Sequence, residues 1–158
     1  MPFPRRAVLG GALCLFAMPA AALACGRPDN ARALREQVIA ELNARRRQAG
    51  LQELRPAGKL TTAANKHACW MADTGNFSHT GRGGSSEADR VTAEGYDYRF
   101  VAENLAAGNA TPKQVVDGWM GSAAHRPNVL ARQARQVGIG LATGNGMIYW
   151  AMLVGRQK

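Results

Sequence analysis

No acidic residue occurs in the first 25 positions, and no stretch after Ala24 has the roughly 18 consecutive apolar residues that a membrane span needs. The second shortage excludes a transmembrane helix in the mature chain. The first fits an export leader: Arg5 and Arg6 open it, Ala7 to Ala24 carry no charge, and Ala22-Leu23-Ala24 has the small-x-small form cut by signal peptidase. Residues 1–24 are therefore read as a signal peptide and residues 25–158 as one domain. Arg5-Arg6 also suits twin-arginine export, and Leu23-Ala24-Cys25 a lipoprotein box. Plain secretion to the periplasm or exterior is the adopted reading, because the residues flanking the arginines fit poorly and Ala22 stands where lipoprotein boxes carry leucine.

Cysteine is scarce as well. Loss of Cys14 with the leader leaves Cys25 and Cys69, an even number in an oxidising compartment, and predicts a Cys25 to Cys69 disulfide worth roughly 3 to 5 kcal/mol. No internal repeat or linker divides the rest. Without Arg5 and Arg6 the chain has 18 basic and 11 acidic side chains, a net charge of +7. No interleaving of basic and aromatic residues suggests a base-stacking surface, so the charge points away from nucleic acid and toward anionic envelope polymers or lipid headgroups.

What is present reads as helices around a small sheet. Asp29 or Asn30 can cap a helix with Leu34, Val38 and Leu42 on one face, closed by Arg45, Arg46 and Arg47 at its negative end, with Glu41 spaced to pair with Arg45. A second helix runs from about Ala57 to Thr74 and stops at Gly75, with His67 beside its apolar stripe as a half-buried packing residue. Asn76 to Ser86 is a Gly- and Ser-rich loop carrying His79. Ser86 to Glu94 suits a short helix, and Tyr96 to Ala107 a strand. Thr111-Pro112-Lys113-Gln114 is a capping box opening a fourth helix. Val137 to Leu141 and Met147 to Val154 read as a hairpin around Thr143-Gly144-Asn145-Gly146. The expected class is α+β.

Glu103 stands out. It lies in Val101-Ala102-Glu103-Asn104-Leu105-Ala106, an otherwise apolar run, so its carboxylate loses hydration on folding and needs a cation or hydrogen bonds. Histidine occurs three times, at positions 67, 79 and 125. The expectation is that His79, Glu103 and His125 converge on one cleft, with Asn104 and Arg126 in support and Ser122 nearby. Two imidazoles and a carboxylate are reasonable ligands for zinc or another divalent cation, with His79 and His125 as the metal candidates. Yet the histidines are 46 residues apart, and no pair one helical turn apart preorganises a site. A purely structural cluster, with Glu103 bonded to both imidazoles, is an equal alternative.

In order along the chain, Leu42-Asn43-Ala44-Arg45-Arg46, His67-Ala68 with Met71-Ala72, Phe77-Ser78-His79, Asp89-Arg90 with Gly95-Tyr96, Ala102-Glu103-Asn104-Leu105, Trp119-Met120-Gly121-Ser122 with His125-Arg126-Pro127-Asn128-Val129-Leu130, and Val137-Gly138-Ile139-Gly140 resemble the bacterial branch of the CAP superfamily. This superfamily comprises cysteine-rich secretory proteins, antigen 5 and plant pathogenesis-related proteins, and its bacterial branch the SCP-like extracellular domains. The resemblance implies a three-layer α-β-α sandwich with a small, mainly antiparallel central sheet and a cleft lined by two histidines and two acidic residues. His79, Glu103 and His125 match three of the four. Ser122 stands where eukaryotic members carry the second acid, which weakens an inherited zinc site. The resemblance also implies, for some members, binding of a sterol, fatty acid or other lipid. The expected function is binding rather than catalysis; the alternative is a water- or metal-assisted, peptidase-like hydrolase with Glu103 as general base, or Ser122 as nucleophile helped by His125. No aspartate is placed to orient His125 and Ser122 sits on no strand-to-helix elbow, so Ser122 reads better as a helix-end hydrogen-bonder.

Overall fold

The computed structural model describes residues 25–158; the signal peptide expected over residues 1–24 lies outside them. Five helices, α1 (Ala31–Gln48), α2 (Gly58–Thr74), α3 (Glu87–Ala93), α4 (Pro112–Gly121) and α5 (Arg126–Val129), surround four strands, β1 (Arg55–Pro56), β2 (Tyr98–Gly108), β3 (Gln136–Gly144) and β4 (Met147–Gln157). The strand order is β1-β3-β4-β2. Only the two-residue β1 runs parallel to its neighbour β3; the other pairings are antiparallel. The long β2 therefore has a single neighbour and forms one edge of the sheet.

The sheet is covered on both faces, as the resemblance implied. Alternation in β3 and β4 sends Val137, Ile139, Leu141, Trp150, Met152 and Val154 into a core shared with α1, α4 and α5. The opposite face of the sheet, with Ala142, Ala151 and Leu153, packs on α2 and α3 through Leu60, Ala64, Ala68, Met71 and Val91. On this face β3 presents glycines. A Cβ on Gly138 would meet the backbone of Leu60 and Thr61, one on Gly140 that of Ala64 and Asn65, and one on Gly144 that of Ala72. Missing side chains on the strand and alanines on the helix let α2 and β3 approach with backbone almost in contact.

Several local expectations hold. Helix α2 stops at Gly75 in the left-handed region, φ 69°. Thr111 caps α4 through the expected capping box, and the short helix expected from Ser86 forms as α3, opened by a capping box of its own between Ser86 and Asp89. Cys25 and Cys69 are disulfide-bonded, with Cα atoms 5.5 Å apart and a separation of 44 in sequence. Closing a loop of that length stabilises by about 4 kcal/mol in the chain-entropy picture.

Others are corrected. Asn30 precedes α1 but its side chain makes no capping bond. Arg45 pairs with Asp117 of α4 rather than with Glu41. Arg46 does more than favour the helix dipole: it is fully buried and donates to the carbonyls of Gln52, Val129 and Ala131 at 2.8, 2.8 and 3.0 Å. It thereby ties the end of α1 to the segment after α5, satisfying carbonyls that no regular element would satisfy.

Candidate functional site

Edge strand β2 builds the site with two consecutive residues. Side chains alternate across a strand, so Glu103 faces the layer of α2 and α3 while Asn104 faces that of α4 and α5. Both are buried.

Glu103 has both carboxylate oxygens engaged. Oε1 accepts from Nδ1 of His79 at 2.9 Å, and Oε2 from Nη2 of Arg90, on α3, at 2.6 Å. Arg90 also ties down the loop carrying His79, because its Nη1 donates to the carbonyls of Ser85 and His79 at 2.7 and 3.1 Å. His67 completes the group. Its Nε2 donates to the Ser78 carbonyl at 2.9 Å and lies 3.8 Å from Glu103 Oε1. Because a carbonyl can only accept, Nε2 carries the proton and Nδ1 is a bare lone pair. Desolvation, followed by the Arg90 charge, pulls the His67 pKa down to about 4, so the ring is neutral. Burial pushes the Glu103 carboxyl above its ordinary value, against the opposing pull of Arg90 and His79.

Asn104 anchors the other half. Its Nδ2 donates to the His125 carbonyl at 3.0 Å, and its Oδ1 accepts from Asn128 Nδ2 at 2.8 Å. Asn128 also donates to the Glu103 carbonyl at 3.1 Å. Ser122 is the C-cap of α4, and its Oγ accepts from the His125 backbone N–H at 3.4 Å. The His125 ring is close enough to His79 to feel its charge; desolvation first, and that charge second, lower its pKa.

Thus His79 meets Glu103, while His125 is held by its backbone beside Asn104 and does not bond the carboxylate. Among the described residues, His79, Glu103 and His125 do not bring three ligand atoms all within 4.8 Å of one another; the one group that does is Cys25, Cys69 and Asp73, whose two sulfurs form the disulfide. With Arg90 and His79 on its oxygens, Glu103 does not fit a metal ligand, and only two imidazoles remain as candidates. Arg126 is exposed, with no side-chain hydrogen bond among the described residues, and Asn128 does the bracing expected of it. His67, expected as a half-buried packing residue, is 1 % exposed and sits beside Glu103.

A groove starts at His125 and Ser122 and runs between α4 and the end of the sheet, with a volume of about 810 Å³. Leu105, Val115, Trp119, Tyr149 and Trp150 give it apolar walls. Phe77, from the His79 loop, also lines it, and at 52 % exposed is the large hydrophobic side chain left in solvent among the described residues.

Residues 39–154 match the family described as CAP, the cysteine-rich secretory protein family. The chain is 30% identical over 129 residues to YkwD of Bacillus subtilis, covering 82% of this chain and 50% of that protein. It thus spans about half the length of this curated relative. In fold it resembles an outer surface protein of Borrelia burgdorferi, with a TM-score of 0.77 and 19% identity over 85% of this chain and 100% of the other. It also resembles an extracellular protein containing an SCP domain from Bacillus anthracis, with a TM-score of 0.71 and 23% identity over 80% of this chain and 41% of the other. The family match over residues 39–154 and the 30% identity to YkwD over 82% of the chain show that this chain belongs to the CAP family.

Proposed function

We propose that this chain is a secreted binding module that holds a small amphipathic molecule, of the fatty acid, sterol or other envelope lipid class. Its polar end sits at His125 and Ser122 and its apolar body in the groove between α4 and β2. The groove carries this reading: an apolar channel within the size range of small-molecule sites has His125 and Ser122 in its lining. Trp150 supports it, since its buried Nε1 has no hydrogen-bond partner among the described residues and its side chain lines the channel.

The hydrolase alternative has less support. Glu103 would serve as general base only by leaving both Arg90 and His79. Ser122 Oγ bonds the His125 backbone rather than its ring. Export follows from the leader reading, and the excess positive charge would favour an anionic envelope surface.

Gly118, exposed on α4, tests the reading. It lines the groove, and a Cβ there would meet nothing within 4 Å. Gly118→Leu should therefore fill the channel without disturbing the core, and gains roughly 1 kcal/mol of helix propensity. The expected result is loss of fluorescent fatty acid binding and of lipid from organic extracts, with thermal stability kept or raised. Undiminished lipid in the variant would overturn the proposal.

A further inference from the structure

A second hollow, of about 550 Å³, lies in the layer of α2 and α3, apart from the groove along α4. Its lining has an unbalanced charge. Lys66 is paired with Glu94 at 2.5 Å, Arg90 is committed to Glu103, and Asp89 is spent on capping Ser86. Arg27 and Arg82 line the same hollow, are exposed, and have no carboxylate partner among the described residues. Two uncompensated guanidiniums at the mouth of one cavity favour an anion, and their forked donors suit a carboxylate.

The wall beside them is flat. Trp70 stacks on His67 with ring centroids 5.6 Å apart and planes 11° from parallel. Both residues line the cavity, with Trp70 half-buried. A half-covered indole face takes a planar apolar partner in offset stacking. The wall also holds unpaired polar groups. His67 Nδ1 and Arg90 Nε are buried without hydrogen-bond partners among the described residues, and both belong to side chains lining this cavity. One is an acceptor and the other a donor, and buried polar groups left unpaired are uncommon in folded proteins.

We infer that the hollow between α2 and α3 is a second ligand site, for a small aromatic carboxylate whose ring lies against Trp70 and whose carboxylate faces Arg27 and Arg82. The site is independent of the lipid groove and does not rest on that reading.

The test is a heteronuclear NMR titration of the full chain with naphthoate and, separately, with the neutral naphthalenemethanol. Trp70 is followed against Trp119 and Trp150. Naphthoate should shift the Trp70 indole and His67 ring signals saturably and leave Trp119 and Trp150 still. The neutral analogue should bind at least about tenfold more weakly, as should naphthoate in the Arg27→Gln/Arg82→Gln variant, whose two sites are exposed and unpaired. Equal binding of the neutral compound, unchanged affinity in the double variant, shifts confined to Trp119 and Trp150, or no saturable shift up to about 10 mM would each overturn the inference.

Discussion

Arg90 and Glu103 form an ion pair across 2.6 Å between helix α3 and strand β2, with 9 % and 2 % of their side chains exposed. Removing one partner strands a buried charge. Arg90→Met should therefore cost about 3 to 5 kcal/mol at neutral pH, since a broken buried pair loses far more than its net worth. Part of the loss should return on acidification, because the Glu103 carboxyl, already raised by burial and now without its cation, takes up a proton. Urea denaturation at neutral and at acidic pH measures this. A loss under about 1 kcal/mol, the same at both, would show that water already solvates the carboxylate.

His67 sets a different pH window. Its ordinary pKa of 6.5 falls to about 4 in the fold, so the unfolded chain binds a proton that the folded one refuses. Stability from this residue is fully present above about 6.5 and is lost as pH falls toward 4, by up to roughly 3 kcal/mol. His67→Gln keeps a donor for the Ser78 carbonyl and should flatten that part of the stability profile. Identical profiles in the two proteins would remove His67 as the cause.

Zinc should find only the two imidazoles. In a titration followed at the histidine ring signals, His79 and His125 are expected to move together and His67 to stay still. Saturation should need zinc well above one equivalent, because Glu103 is already held by Arg90. Tight stoichiometric binding would mean that the carboxylate leaves Arg90 for the metal.

The contact between α2 and β3 predicts a sharp steric result. Gly140→Ala puts a methyl group into the backbone of Ala64 and Asn65, with no flexible side chain to give way. The expected cost is about 3 kcal/mol or more, against under about 1 kcal/mol for the same change at Gly121, whose Cβ meets nothing within 4 Å. Thermal melts compare the two directly.

What could be read beforehand follows from how local its cause is. The Thr111 capping box, the Gly75 stop and the hairpin turn are written within a few residues, and the structure has them where the chain puts them. The polar pair in an apolar strand made Glu103 and Asn104 visible, and the scarcity of histidine limited Glu103's partners. Arg90 was not visible, because an arginine on a short surface helix has the same local pattern whether it meets water or a buried carboxylate. The same holds for Arg46, in an arginine run that any helix end tolerates, and for His67, whose burial depends on how closely α2 approaches the sheet. That approach had a signal: Gly138 and Gly140 alternate with Val137, Ile139 and Leu141, opposite a helix rich in alanine. Asn128 in place of Arg126 turned on the direction of a single turn of helix, α5, which no periodicity reveals.

The neighbouring positions of Glu103 and Asn104 also decide how β2 is aligned. The strand is apolar on both sides, through Val101 and Leu105 on one and Ala102 and Ala106 on the other, so hydrophobicity does little to forbid a slip of one residue against β4. A slip would turn Asn104 toward Arg90 and Glu103 toward Asn128, replacing an ion pair with an unneutralised guanidinium on one side and an unneutralised carboxylate on the other. The two polar side chains act as a key that fits one alignment, and their cost in hydration is the means by which a strand with two greasy faces is held to a single pairing.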